Sequence, residues 1–565
     1  MESRLDLRYL FPLAMLAFLA HSDTLELWFV ATDTLPLIET SRVTESAGIV
    51  DLFTRPLMAG SDFVTRALFY RPVASVTYAI DHALWGLSPF GYHLTNLVLH
   101  VVATVLAVIA IADVTGRPLA GYLTGLLFTV HPVTVEVVPV IARRQDVLLT
   151  VFVLGTVSLF VRWHRRWRRH RAENRGWTLR PYRPLVAALA GYALALGSKE
   201  TALMVPVLVG VWAVLHGSHD RARERLGNAF AAVGPFAALT LLYIGIRVAV
   251  LGGLGGYSPS TPFAELPGYT LENVLSTAGK YALWAVLPVR FGGVGALVPA
   301  PHVVVAVLAG VIVLGGVGFV ALTSREPLVT PMRRRLIFFG CWFVGPFVGL
   351  LLARQILLQP QSFGFGIRNA YGVLVPVLAG FVTLLLESLD RIRTRIERSH
   401  ATVDLGRSLV VAVVSVVLVT TVAVSPVFSP DDGWEAAGEL NQRSLEGVDD
   451  SLEGAPNATT VYLVDFPNRF DARNATPRSA RSVTPLLSYS VEAWLALHGS
   501  SPQVQLIRPR TVETLPDRLS FATRVRGDVV VLRVDDDARS LDRGTDSGRK
   551  PPELKPWDSG SVVLS

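Results

Sequence analysis

Cysteine is all but missing from this 565-residue chain. Cys341 stands alone, so no intramolecular disulfide can form, and its apolar surroundings at Phe338–Val348 suit a small buried hydrophobe. Lysine is nearly as scarce: Lys199, Lys280, Lys550 and Lys555 are the only four, so the basic charge is carried by arginine. Charge of either sign is thin. Only 17% of residues are charged, against roughly 25% in soluble domains, while 51% are hydrophobic. With a mean hydropathy of +0.44, this excludes an ordinary soluble globular protein. The net charge of +7 says less than its distribution, since arginine on cytoplasmic loops also orients membrane proteins.

What the chain does have is a succession of apolar runs near the ~20 residues needed to cross a bilayer. The first, Tyr9–Ala20, follows Arg4 and Arg8 and reads as a span with its N-terminus inside. Further spans are expected at Tyr92–Ala112, Leu119–Val138, Val147–Val161, Leu185–Gly197, Ala202–Leu215, Phe230–Leu251, Val303–Leu322, Leu336–Ala353, Val373–Leu386 and Leu409–Val424. Tyr281–Val298 is interrupted by Pro288 and a glycine cluster and reads as interfacial or re-entrant. The fold class is therefore a polytopic α-helical membrane protein with about eleven transmembrane helices.

The basic stretches at 162–183, 219–225, 325–335 and 391–398 all fall inside when these spans alternate from a cytoplasmic N-terminus. A topology signal is already required there, so nucleic acid is not expected as a partner. The intervening loops and the tail then lie outside. Three regions follow: a membrane domain over 1–424 with a large first outer loop at about 21–90, an extracytoplasmic α/β domain over 425–538, and a disordered tail at 539–565. In the second, Val461–Val464, Val504–Ile507 and Val529–Val534 read as strands around a helix near Pro485–His498. The triplets Asn457-Ala-Thr and Asn474-Ala-Thr suit an exported face.

Ionisable groups near membrane depth are costly and mark functional candidates. Here Asp33, Glu39, Arg71, Asp81, His82, His93, His100, His131, Glu136, Arg143, Arg144, Asp146, Lys199, Glu200, Arg354 and Arg368 all fall on outer loops or outer span ends. Charge gathered at one face suits an active site at the water–lipid boundary. His93, His100, His131 and Glu136 lack tight ligand spacing, so no metal site is expected. Gly252–Gly256 is not a phosphate loop, having neither a preceding strand nor a following Lys-Ser/Thr.

Four blocks carry a resemblance. They are Tyr70–His100 (YRPVASVTYAIDHALWGLSPFGYHLTNLVLH), Val130–Leu148 (VHPVTVEVVPVIARRQDVL), Ser198-Lys199-Glu200 with Pro206, and Arg368-Asn369-Ala370-Tyr371. Over roughly the first 370 residues these resemble the large-loop GT-C glycosyltransferases, which include the tetratricopeptide-bearing transmembrane O-mannosyltransferases. The α/β tail departs from that branch. The chain further resembles the dolichyl-phosphate-mannose mannosyltransferases of halophilic archaea, which add a terminal mannose to the N-linked glycan of a surface-layer glycoprotein.

The resemblance implies a GT-C-like fold and an inverting transferase that uses dolichyl phosphate mannose. It implies a glycan or glycoprotein acceptor, membrane lipid around the donor, and no cofactor. The family's paired acids correspond to Asp33 and Thr34, so one acid is retained; by resemblance Asp33 is the general base on an acceptor hydroxyl. Arg144, Lys199 and Arg368 would hold the donor phosphate. Glu39, Arg71, Asp81, His93, His131, Glu136 and Asp146 would bind acceptor or organise the loop. Each residue has a plainer reading: Asp33 as a helix cap, Lys199 paired with Glu200, Arg144 paired with Asp146. Two other functions stay open: a protein O-mannosyltransferase acting on Ser/Thr, and a transporter or flippase of lipid-linked sugar. The latter calls for internal repeats and midplane charges, whereas these charges gather at one face.

Overall fold

The computed structural model of the protein describes residues 6–172, 182–216, 222–257, 331–346, 367–397, 432–453, 458–471, 482–483, 486–512, 519–526 and 528–534. Among them, four helices are long and apolar enough to cross a membrane: Pro89–Thr115, Ile141–His170, Gly227–Leu251 and Ala370–Arg391. By these helices the chain is a membrane protein. Shorter apolar helices at Leu10–Leu19, Pro118–Thr129, Arg183–Ser198 and Glu200–Leu215 pack among them.

In chain order the helices are α1 (Leu10–Leu19), α2 (Thr34–Ser41), α3 (Ser46–Thr54), α4 (Phe63–Arg66), α5 (Pro72–Trp85), α6 (Pro89–Thr115), α7 (Pro118–Thr129), α8 (Arg144–Ala172), α9 (Arg183–Ser198), α10 (Val205–Leu215), α11 (Ala222–Leu251), α12 (Pro331–Val344) and α13 (Ala370–Glu397). Proline and glycine punctuate them. Prolines open α5, α6, α7 and α9, where a missing N–H costs nothing, and Gly116 closes α6 in the left-handed conformation at φ 71°. α6 packs on α7 and α8, α8 on α9, and α13 on α7, α8 and α12. At Gly121 a Cβ would lie 2.4 Å from the Val108 carbonyl oxygen, so glycine is what lets α7 approach α6 this closely.

The C-terminal part adds α14 (Asp432–Leu452), α15 (Ser488–Leu497) and two small sheets. The two-residue strands β1 (Ala67–Leu68) and β2 (Gly256–Tyr257) pair antiparallel, tying the first loop to the end of α11. Strands β3 (Thr460–Val464), β4 (Pro467–Asp471), β5 (Ser482–Val483), β6 (Gln503–Ile507), β7 (Arg510–Val512), β8 (Phe521–Arg526) and β9 (Val529–Val534) complete the list. The main sheet runs β6-β3-β9-β8, with β3 parallel to both neighbours and β8–β9 an antiparallel pair. The three stretches read from the sequence as strands coincide with β3, β6 and β9, and α15 lies within the expected helix.

Two apolar cores organise these pieces. One fills the helical bundle. The other joins Phe29, Val30, Leu35 and Ile38 of the first loop to Trp434, Leu463, Tyr489 and Trp494 of the C-terminal part. These two regions, read as separate from the sequence, share one interior.

Three expected spans change their bounds. Leu119–Val138 is not one helix: α7 ends at Thr129, and a 3₁₀ turn follows at Pro132–Glu136. Pro132 supplies no N–H and disfavours helix at the residue before it. The span at Val147–Val161 is longer than expected, because α8 continues through the arginines to Ala172; that stretch holds no helix breaker. Ala202–Leu215 begins as a 3₁₀ turn, Glu200–Met204, before α10. The expected spans at Val303–Leu322 and Leu409–Val424, the stretch Tyr281–Val298, Lys280, Arg354, Asn457, Asn474 and residues 539–565 lie outside the described residues.

Candidate active site

Asp33 stands immediately before α2, where aspartate is among the favoured helix caps. Yet its side chain makes no capping bond. Oδ1 instead accepts from the Thr32 hydroxyl at 3.2 Å and from the Tyr489 phenol at 2.8 Å. Among the described residues, none donates to Oδ2. The carboxylate is half-buried, held on one oxygen and open on the other. Thr34, standing where a second acid is expected, is buried and turns its hydroxyl onto the Val30 carbonyl. Glu39 lies roughly 120° around the helix from Asp33 and pairs with Arg42 at 3.7 Å, so it does not replace the missing acid. Burial raises the Glu39 carboxyl, with Arg42 opposing.

Arg144 is held among scaffold residues, with Nη1 left without a hydrogen-bond partner among the described residues. It is fully buried, with Nε donating to Asn96 at 2.7 Å, Nη2 to the Tyr92 carbonyl at 3.0 Å, and Asp81 at 2.5 Å. Its guanidinium sits 4.6 Å over the Tyr78 ring. This lock joins the first sequence block to the second and fixes α5, α6 and α8 together. Asp81 also accepts from Thr95 at 2.7 Å; burial pushes its carboxyl up, against the pull of Arg144. The partner of Arg144 is thus Asp81, not the neighbouring Asp146.

Arg71 makes a two-pronged pair with Glu200, Nη2 at 2.8 Å and Nε at 3.3 Å, and Glu200 is met again by Arg247 at 3.0 Å. Glu200 therefore answers to the first loop and α11, not to Lys199. The charges of Arg144, Asp81, Arg71 and Asp33 all act on the Tyr78 phenol, which burial pushes well up.

Lys199 is buried at the end of α9. Its ammonium donates to Asp146 and, at 2.8 Å, to Asn369, joining the second, third and fourth blocks. An ammonium has three donors, so one is left over. These three residues line a small cleft together with Thr201, and Leu149, Val153 and Trp342 are among its apolar lining. The Thr201 hydroxyl has no hydrogen-bond partner. Arg368 immediately precedes Asn369 and, with Asp146, bears electrostatically on Lys199.

The other candidates make contacts of their own. His131 Nδ1 accepts from the Val133 N–H at 3.2 Å and caps the 3₁₀ turn. Glu136 pairs with Arg143 at 2.9 Å, and Arg143 also lies 5.3 Å over the Trp434 ring. His93 is buried, with Nε2 at 3.4 Å from the Trp28 carbonyl. Among the described residues no group of three or more His, Cys, Asp or Glu could hold a metal ion.

Part of this chain is similar to protein O-mannosyl-transferases. It is 30% identical over 230 residues to Tmtc2 of Drosophila melanogaster, covering 40% of this chain and 24% of that protein. With human TMTC2 it is 33% identical over 110 residues, 20% of this chain and 13% of that protein. The chain thus spans about a quarter or less of the length of these curated relatives. No family model matches it. Among solved structures, the oligosaccharyltransferase AglB of Archaeoglobus fulgidus gives a TM-score of 0.42 at 14% identity, over 81% of this chain and 62% of that one. ArnT of Cupriavidus metallidurans gives 0.39 at 14%, over 88% and 85%. Scores this low do not establish a shared fold.

Sequence reasoning missed Tyr78, Asn96, Asn369 and Tyr489. The first three lie inside quoted blocks, as uncharged residues that no charge-based search would select. Tyr489 carried no signal at all, being 456 residues from the carboxylate it meets.

Proposed function

We propose that this protein is an inverting membrane glycosyltransferase of the GT-C type. It moves a hexose, mannose, from dolichyl phosphate mannose to an acceptor on the extracytoplasmic face, the N-linked glycan of a surface-layer glycoprotein. The observation that carries this reading is Asp33: a half-buried carboxylate at a helix head that does not cap the helix and keeps one oxygen open. The acceptor hydroxyl attacks the anomeric carbon, the bond from that carbon to the phosphate oxygen breaks, Asp33 takes the hydroxyl proton, and dolichyl phosphate leaves. Lys199, through its third N–H, and Arg368 meet the donor phosphate at the cleft. The names of the similar proteins support the reaction class.

The orientation is supported by helix length. α8 carries Asp146 in its first turn and Arg162, Arg165, Arg166, Arg168 and Arg169 toward its far end, and α13 likewise starts just after Asn369 and carries Arg391 toward its far end. At about 1.5 Å per residue, 29 residues span a bilayer, so the arginines fall on the side opposite the site. The first loop and C-terminal domain share a core and therefore a side.

The relatives' names favour a second acceptor, a protein Ser/Thr. Asp33→Ala tests the reaction. The mature surface glycan is expected to lose one hexose while charged donor lipid accumulates, read by mass spectrometry of glycopeptide and lipid. A hexose missing from serine-containing peptides instead identifies the protein acceptor, and both products unchanged would refute Asp33 as the base.

A further inference from the structure

One contact of the C-terminal domain is with the candidate base. α15 presents its second and third residues to the first loop: the Tyr489 phenol donates to Asp33 Oδ1 at 2.8 Å, and the Ser490 hydroxyl donates to the Thr32 carbonyl at 2.8 Å. The phenol has little freedom. Tyr489 is 5% exposed, and the Phe63 ring lies against it with centroids 6.4 Å apart. Behind it the same interface is closed by Trp28 against Trp494 at 5.5 Å and by Asn441 donating to the Phe29 carbonyl at 2.8 Å.

An aspartate at this position has a competing conformation, in which it turns back and caps the N–H groups of α2. Pro36 removes one of those donors, but Leu35 retains its own. A carboxylate turned back onto its own helix aims its oxygens at α2 instead of away from it. Two donors on Oδ1, Thr32 and Tyr489, hold the carboxylate in the other conformation and leave Oδ2 toward the acceptor.

We infer that Tyr489 is a positioning residue for Asp33, so that the C-terminal domain completes the active site rather than decorating it. This rests on the reading of Asp33 as the base. The full-length enzyme is assayed in detergent with dolichyl phosphate mannose and acceptor glycan. Tyr489→Phe, which removes one oxygen, is expected to lower kcat about tenfold with KM for the donor unchanged within about twofold. Asn441→Ala weakens the same interface away from the carboxylate and is expected to keep kcat within about twofold while lowering Tm.

Wild-type kcat in Tyr489→Phe, beside an inactive Asp33→Ala, overturns the inference and leaves the base reading intact. Equal loss of kcat in Tyr489→Phe and Asn441→Ala also overturns it, since the effect would then be docking alone. An active Asp33→Ala overturns both.

Discussion

At the scale of single residues, charge separates into two kinds that look alike in sequence. Arg144 is tied to Asp81, Asn96 and Tyr92 in the scaffold, with its buried Nη1 left without a hydrogen-bond partner among the described residues. Lys199 is also paired, with Asp146 and Asn369, but it lines a cleft and has a donor to spare. Removing one member of a buried pair leaves an uncompensated charge, at a cost of about 3–5 kcal/mol. Lys199→Ala is therefore expected to lower Tm as well as activity, and to impair transfer more than Lys280→Ala. The double change Lys199→Met with Asp146→Leu removes both charges; it should regain most of the Tm lost and none of the activity. Thermal unfolding and transfer assays on the three variants check this. Recovered activity in the double variant would remove Lys199 from the donor site.

At the scale of elements, helix ends were more legible than helix partners. The span read as Tyr92–Ala112 lies inside α6, whose ends at Pro89 and Gly116 follow from local capping chemistry. The closeness of α7 to α6 is not local. Gly121 and Gly155 are both glycines inside apolar helices, yet a Cβ at Gly121 would strike the Val108 carbonyl oxygen, whereas one at Gly155 meets nothing within 4 Å. Gly121→Ala is expected to lose about 1–3 kcal/mol as α7 is forced outward. Gly155→Ala should be neutral or up to about 1 kcal/mol stabilising through helix propensity. Equal Tm values for the two would refute the close packing.

At the scale of the whole molecule, the first loop and C-terminal domain behave as one body with a charge cost at their boundary. Glu492 on α15 accepts from the Val504 N–H at 2.8 Å, and burial, with Asp62 of the first loop adding to it, raises its carboxyl above the ordinary 4.5. A carboxyl raised by folding binds its proton more tightly in the folded state, so ionisation opposes folding at pH above the raised value. Glu492→Gln keeps the acceptor oxygen and removes the charge. It is expected to raise Tm at pH 7.5 and to give no gain below about pH 4.5, where the unfolded-state carboxyl is protonated too. A Tm gain of the same size at both pH values would refute the charge cost.

Apolar length, alternation and punctuation are properties of neighbouring residues, so crossing helices, the strands β3, β6 and β9, and the blocks around Asp81, Asp146 and Lys199 could be read from the chain. Partnership is not such a property. Asp33 meets a phenol 456 positions away, Arg71 a carboxylate 129 away, and Lys199 an amide 170 away. Burial makes those contacts strong and leaves no local trace of them, because a lone pair in a low-dielectric interior takes whichever donor the packing brings to it. Folding therefore chose which acid stayed open, which cations were spent on the scaffold, and that the tail meets Asp33.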